Sequence, residues 1–242
     1  FQREARATGA LDSPHIVEVL DAGEDPETGE PFVVMEFLAG EDVTHLLRRI
    51  GPLPVQVALK ICAQAYLGLA KAHEAGVVHR DIKPGNIFLS QLDRGERVAK
   101  VLDFGIARTK NAGEDTELTR TGSMVGSPHY MSPEQARGLK NIDARADIWS
   151  MGVVLFRLLS DRTPHEQGDG GLGELLITIC CAPPPSVQTV APWVPPEVAT
   201  VVDRALQLDR EQRFENAKAM YEAIEPLLQD GTELNDSMLA PL

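Results

Sequence analysis

His79-Arg80-Asp81-Ile82-Lys83-Pro84-Gly85-Asn86 is the stretch on which the reading of this chain turns. It sets an acid, a cation and an amide within eight residues. Asp81 can accept a proton, and Lys83 can neutralise a phosphate in transit. Asn86 offers a hard oxygen that suits Mg2+ better than a soft metal. Seventeen residues after Asn86 comes Asp103-Phe104-Gly105, a second oxygen ligand on a glycine-hinged turn. A base and two metal ligands are the minimum for phosphoryl transfer, where catalysis is mostly positioning and charge neutralisation. A lone His-x-Asp is a weak signal. Lys two residues after the acid, Asn five after it and Asp-Phe-Gly downstream make a specific one.

Just outside this loop, residues 87–89 and 98–102 read as strands joined by a polar turn. Before it, Ala58, Leu59, Cys62, Ala65, Tyr66, Leu69 and Ala72 fall at helical spacing over 54–73. Gly76 is the stop signal, and Val77-Val78 reads as a short strand. Further upstream, residues 1–11 read as a helix carrying Glu4, broken by Asp12-Ser13-Pro14. Residues 16–21 and 32–35 are β-rich and make an antiparallel hairpin about the turn Asp25-Pro26-Glu27-Thr28-Gly29. Residues 33–38 then leave a strand and meet Ala39-Gly40.

Downstream, residues 103–134 are rich in Thr, Gly and Ser with little periodicity, and a loop that long is functional or disordered. Residues 143–160 are apolar nearly all round, which predicts a buried central helix. Asp147 lies inside that run. Its carboxylate needs donors, and the backbone N–H groups of the 79–86 loop are the expected ones. Helices are expected near 172–181, 196–206 and 216–228, with Pro183-Pro184-Pro185 as a connector and Pro226 ending the last hydrogen-bond ladder early. Residues 231–242 read as a loose tail.

The net charge of −13 argues against nucleic acid as a partner and against a polybasic membrane contact. No apolar run is long enough to span a bilayer. Cys62, Cys180 and Cys181 do not form a disulfide framework. The adjacent pair reads as small hydrophobes in a helix, as fits a reducing cytoplasm.

These motifs together resemble the bacterial, eukaryotic-type (Hanks-type) serine/threonine protein kinases, over residues 1 to about 229. The resemblance implies an α+β, bilobal fold with a mostly helical large lobe and a truncated β small lobe. The kinase domain would be 1–230, with 1–38 as small-lobe remnant and hinge, 39–230 as large lobe, and 231–242 as a flexible tail. It implies ATP and Mg2+ as cofactors, protein substrates and a signalling role. Asp81 would orient the substrate hydroxyl and accept its proton, Lys83 would steady the phosphoryl group, and Asn86 and Asp103 would hold Mg2+. The Glu36 carbonyl and the main-chain groups of Leu38 would face adenine, with Met35 gating the back pocket and Phe88 pressing on the base from below. Glu4 would pair with the ATP-binding lysine. The strand bearing that lysine is not in this sequence, nor does a Gly-x-Gly-x-x-Gly precede the loop.

By the same resemblance, Ser127 takes the place of the threonine that bridges Asp81 and Lys83, and Lys83 with Ser127 points to serine and threonine acceptors. His79, Phe104, Gly105 and Asp147 would hold the site together. Ser132-Pro133-Glu134 replaces the family's Ala-Pro-Glu, and Glu134 would pair with Arg213. Arg80, beside the base, would fork onto phosphate carried by Thr119 and Thr121, placed there by a second copy of the kinase in a transient homodimer. The chain opens on Phe1 in mid-pattern, as expected of a piece of a longer, cytoplasmic protein whose other parts could tether it to a membrane. Three rival readings are a small-molecule phosphotransferase, which lacks the Ser-Pro-Glu close and Arg213, a pseudokinase scaffold, and a truncated, inactive remnant. The absent lysine strand favours the scaffold, while intact Asp81, Asn86 and Asp103 oppose it.

Overall fold

Two apolar helices form the centre of the molecule. The computed structural model describes residues 11–104, 128–166 and 170–241. Helices are α1 (Val43–Ile50), α2 (Val55–Glu74), α3 (Pro133–Ala136), α4 (Ala144–Ser160), α5 (Gly171–Cys181), α6 (Pro196–Ala205) and α7 (Ala217–Ile224). Strands are β1 (Val19–Glu24), β2 (Pro31–Met35), β3 (Gly40–Asp42), β4 (Ile87–Gln91), β5 (Glu96–Val101) and β6 (Leu234–Asn235). The long α2 carries no proline between Pro54 and its end, where Gly76 at φ 74° turns the chain away. It packs on α4, α7 and β5. Helix α4 starts at Asp143, whose carboxylate accepts the N–H of Arg145, and it is buried nearly all round, as its sequence predicts. A Cβ at Gly152 would come within 2.9 Å of the Ala205 Cβ, so glycine lets α6 approach α4 closely.

The strands form two antiparallel sheets, a β1–β2 hairpin and a four-stranded sheet of order β3-β4-β5-β6. The hairpin closes where expected. Asp25 accepts from the N–H groups of Glu27 and Thr28 at 2.8 and 2.9 Å, and Gly29 takes φ 70°. At the start of β3, Gly40 has φ 144°, and a Cβ there would lie 2.1 Å from the Leu89 carbonyl oxygen. Helices on a small sheet beside a hairpin make the fold α+β.

Several elements differ from the sequence expectation. The first strand begins at Val19, not at residue 16. Ile16 and Val17 instead dock on the edge of β5, with Val101 N–H donating to the His15 carbonyl (2.9 Å) and Val17 N–H to the Val101 carbonyl (3.0 Å). Val77-Val78 is not a strand. The Val77 N–H returns to the Ala72 carbonyl (2.8 Å), so the segment closes α2 rather than joining a sheet. Cys62 is buried, but Cys180 is only half-buried and Cys181 is exposed at the end of α5. Pro226 does end the last ladder early, as expected: helix α7 stops at Ile224, and Pro226 sits in a single 3-10 turn, Glu225–Leu227. The tail expected to be loose is packed, with Leu234 in β6 and Leu239 both buried. The helix expected over 1–11 lies outside the described residues except for Leu11. Among the described residues, no helix is long and apolar enough to cross a membrane.

Candidate active site

The β4–β5 hairpin brings the two ends of the motif together. The Leu102 N–H donates to the Asn86 carbonyl at 2.9 Å, so β4 begins and β5 ends at one edge of the sheet. Asn86 and Asp103, seventeen residues apart, therefore share that edge. Asn86 closes a 3-10 turn, Pro84–Asn86, in which proline's fixed φ and missing N–H cost nothing at the first position. The Asn86 Nδ2 donates to the Asp81 carbonyl (2.8 Å) and approaches Asp81 Oδ2 (3.3 Å). Both partners are acceptors, which fixes the amide's orientation and leaves Oδ1 as its outward oxygen. Lys83 Nζ donates to Asp81 Oδ2 at 2.7 Å. Acid, cation and amide thus meet at one carboxylate, which is partly open to solvent. Asp103 is exposed and held at φ 51°. A left-handed conformation costs a non-glycine residue about 1–2 kcal/mol, so surrounding structure must enforce it.

That enforcement comes from beneath. His79 is fully buried, and its Nε2 bonds the Leu102 carbonyl at 2.7 Å while Nδ1 accepts the Asp81 N–H at 3.2 Å. These partners select the neutral Nε2–H tautomer. Burial pulls the His79 pKa down against the carboxylates that would raise it, in keeping with a neutral ring. Its ring packs on buried Phe104, with centroids 4.8 Å apart. One imidazole therefore ties the residue before Asp103 to the backbone of Asp81.

Asp147, fully buried on α4, holds the loop from the other side. It accepts from the His79 and Arg80 N–H groups, each at 2.8 Å, as the sequence led us to expect. It also accepts from His73 Nε2 at 2.9 Å, and His73 Nδ1 in turn accepts the Ala217 N–H at the start of α7 (3.2 Å). Burial alone would raise the Asp147 pKa. The His73 bond, the nearby histidines and the His79 N–H outweigh it and hold the group below the usual carboxylate range. Gripped this way, Arg80 takes φ 67°, and Gln135 Nε2 bonds its carbonyl at 2.7 Å. Neither His73 nor Gln135 stood out in the sequence. His73 looks like an ordinary cation near a helix C-terminus, and its partner is 74 residues away.

Glu134 and Arg213 form a forked pair at 2.8 and 3.0 Å, with both side chains buried. The remaining guanidinium donors reach the carbonyls of Gln207, Arg145 and Leu208, and the group lies 5.0 Å from the Trp149 ring centroid.

At the hinge segment, the Glu36 carboxylate accepts from the Glu18 N–H (2.9 Å) and from Lys100 Nζ (2.5 Å). Burial opposes the charged form, but these donors keep the Glu36 pKa lowered. Among the described residues, the Glu36 carbonyl and both main-chain groups of Leu38 make no hydrogen bond, which leaves a backbone edge open to a flat ligand. Met35 is 39% exposed. Half-buried Phe88 places its ring 3.1 Å from the Cβ position of Gly40, directly after the hinge. Glu4, Gly105, Thr119, Thr121 and Ser127 lie outside the described residues. Among those described, no cluster of three or more His, Cys, Asp or Glu side chains could enclose a metal. An Asn–Asp pair suits Mg2+, which retains water and completes its shell with phosphate oxygens.

The chain that carries this geometry resembles known protein kinases. A family model described as the protein kinase domain matches residues 1–223. The serine/threonine-protein kinase pkn3 of Myxococcus xanthus is 38% identical over 93% of this chain and 42% of its own length. The serine/threonine-protein kinase PksC of Streptomyces coelicolor is 42% identical over 91% of this chain and 39% of its own. The chain thus spans less than half of these curated relatives. Among solved structures, the PknI kinase domain of Mycobacterium tuberculosis superposes with a TM-score of 0.70 at 26% identity, covering 93% of this chain and 76% of that one. Rad53 1–466 in complex with AMP-PNP gives 0.74 at 25% identity, covering 92% and 53%.

Proposed function

The chain belongs to the protein kinase family, and on that premise we propose that it transfers the γ-phosphoryl group of ATP to serine and threonine hydroxyls of other proteins. The observation that carries this reading is the convergence of Lys83 and Asn86 on Asp81, with Asp103 at the same sheet edge. Asp81 takes the hydroxyl proton as the acceptor oxygen bonds to phosphorus and the bond to the β-phosphate oxygen breaks, releasing ADP. Lys83 balances charge on the moving group. Asn86 Oδ1 and Asp103 hold Mg2+, which when bound neutralises the phosphate oxygens. The open backbone edge at Glu36 and Leu38 takes adenine, between Met35 and Phe88. Rad53 1–466, a similar structure, was solved in complex with AMP-PNP, which supports ATP as the nucleotide.

Incubating the protein with γ-labelled ATP, Mg2+ and mixed peptides tests this. Label on serine and threonine is the expected result. Label on tyrosine, on small alcohols or only on free phosphate would sink the reading.

Control of the site belongs to the same proposal. Thr119 and Thr121 are phosphorylated by a second copy, and Arg80, next to Asp81, contributes to holding the phosphates. Mass spectrometry after incubation with ATP should find phosphate on both. A Thr119→Ala/Thr121→Ala double variant should lose most activity, and one that kept full activity would remove this regulation from the account. The proposed location is the cytoplasm, with ATP and protein substrates as partners.

A further inference from the structure

The family match ends at residue 223, yet the chain beyond it is built into the molecule. Helix α2 carries Gln56, Lys60 and Gln64 at intervals of four, a polar stripe on a stretch that is otherwise apolar from residue 55 to 70. All three are used on the main chain of residues 227–232. Gln56 donates to the Leu227 carbonyl (3.1 Å) and accepts the Gln229 N–H (2.8 Å). Lys60 is only 3% exposed, and its ammonium donates to the Asp230 and Gly231 carbonyls at 3.2 and 2.8 Å. Asp230 and Gly231 are successive left-handed residues, at φ 57° and 69°, a turn that brings both carbonyls to one cation. Gln64, equally buried, donates to the Thr232 carbonyl at 2.7 Å, and its own carbonyl accepts the Ala99 N–H of β5 at 2.7 Å. The strap then pairs with β5 as β6, and Asp236 bonds Arg97 at 2.5 Å.

We infer that the strap of residues 225–241 is a positioning element for the phosphoryl-transfer site, acting through Gln64 on β5, the strand that leads directly into Leu102-Asp103. The Ala99 N–H lies four residues before Asp103, and Gln64 is the group that joins it to the strap. Without the strap, the Lys60 ammonium and the Gln64 amide would lose these carbonyl acceptors, and such groups draw in water or swing outward. Either change frees the Ala99 N–H and loosens the strand that fixes Asp103.

The inference rests on the reading of Asp103 as a metal ligand, so its test has one arm that does not. Leu234→Asp unseats the strap, and Gln64→Leu cuts the link while Gln56, Lys60 and β6 still hold it. In the full chain, hydrogen exchange at residues 98–101 is expected to rise roughly tenfold in both variants. The Mg2+ concentration for half-maximal phosphoryl transfer should rise about threefold to tenfold, with kcat at saturating Mg2+ within about twofold of wild type. The double variant should be no worse than Leu234→Asp alone, as for residues acting in one path. Should Leu234→Asp fail to fold, Asp236→Arg at the surface, which turns the bond to Arg97 into a repulsion, unseats the strap in its place. Faster exchange confined to 232–240, with 98–101 and the Mg2+ requirement unchanged, would overturn the inference. A wild type whose turnover ignored Mg2+ would instead sink the metal-ligand reading, and exchange alone would then decide whether the strap orders β5.

Discussion

Asp147 shows at the residue scale how a buried charge can set the loop that carries Asp81. Its carboxylate accepts from two loop N–H groups and one imidazole, and these bonds hold the left-handed turn at Arg80. Asp147→Ala removes the acceptor from all three donors and should cost about 3–5 kcal/mol, the usual loss when a buried ionic partner is deleted. Asp147→Asn keeps one acceptor oxygen and should cost less, about 1–3 kcal/mol. Urea unfolding of the two variants checks both values, and an unchanged midpoint for Asp147→Ala would contradict the assignment. This carboxylate was legible in the sequence because an acid inside an apolar helix must find donors. His73 was not legible, because its role arises only where α2, α4 and the start of α7 meet.

Element by element, what could be read depended on how local the cause was. The hairpin turn at Asp25–Gly29 and the stop at Gly76 follow from the turn chemistry of single residues, and both were legible. So was Pro226 at the end of α7. The strand expected at Val77-Val78 was not formed, because β-propensity there is overridden by the helix-closing bond to Ala72. The docked tail escaped notice for a similar reason, since its partners Lys60 and Gln64 lie about 170 residues upstream in α2. The tie between α3 and the turn before α7 was legible only through family resemblance. There Arg213 uses its guanidinium on Glu134 and on three carbonyls. Arg213→Met would strand the Glu134 charge in the interior and should cost about 3–5 kcal/mol. The same variant should loosen α3 and with it the Gln135 bond to Arg80. Thermal unfolding together with hydrogen exchange at 133–136 measures this, and a variant as stable as wild type would show the pair to be dispensable.

For the whole molecule, buried and half-buried histidines set the pH response. Burial is the leading cause that lowers the pKa of His15, His79, His129 and His165. Each binds a proton more readily when unfolded, so their contribution is fully present above about pH 6.5 and is lost as pH falls toward the folded values. Asp147, with its lowered pKa, adds a further loss only below the carboxylate range. Carboxylates stay ionised between about pH 5.5 and 7.5, so relief of the acidic excess does not offset the histidines in that window. Urea unfolding at those two pH values should therefore show lower stability at the acidic one, and equal or greater stability there would contradict it. The central claim is chemical, and it concerns the carboxylate on which Lys83 and Asn86 converge. Its most direct test compares single-turnover phosphoryl transfer by wild type and Asp81→Asn, after circular dichroism shows that both are folded. The account predicts a loss of about 10²–10⁴-fold, since the amide cannot take the hydroxyl proton. An Asp81→Asn protein that phosphorylated serine peptides at the wild-type rate would contradict it.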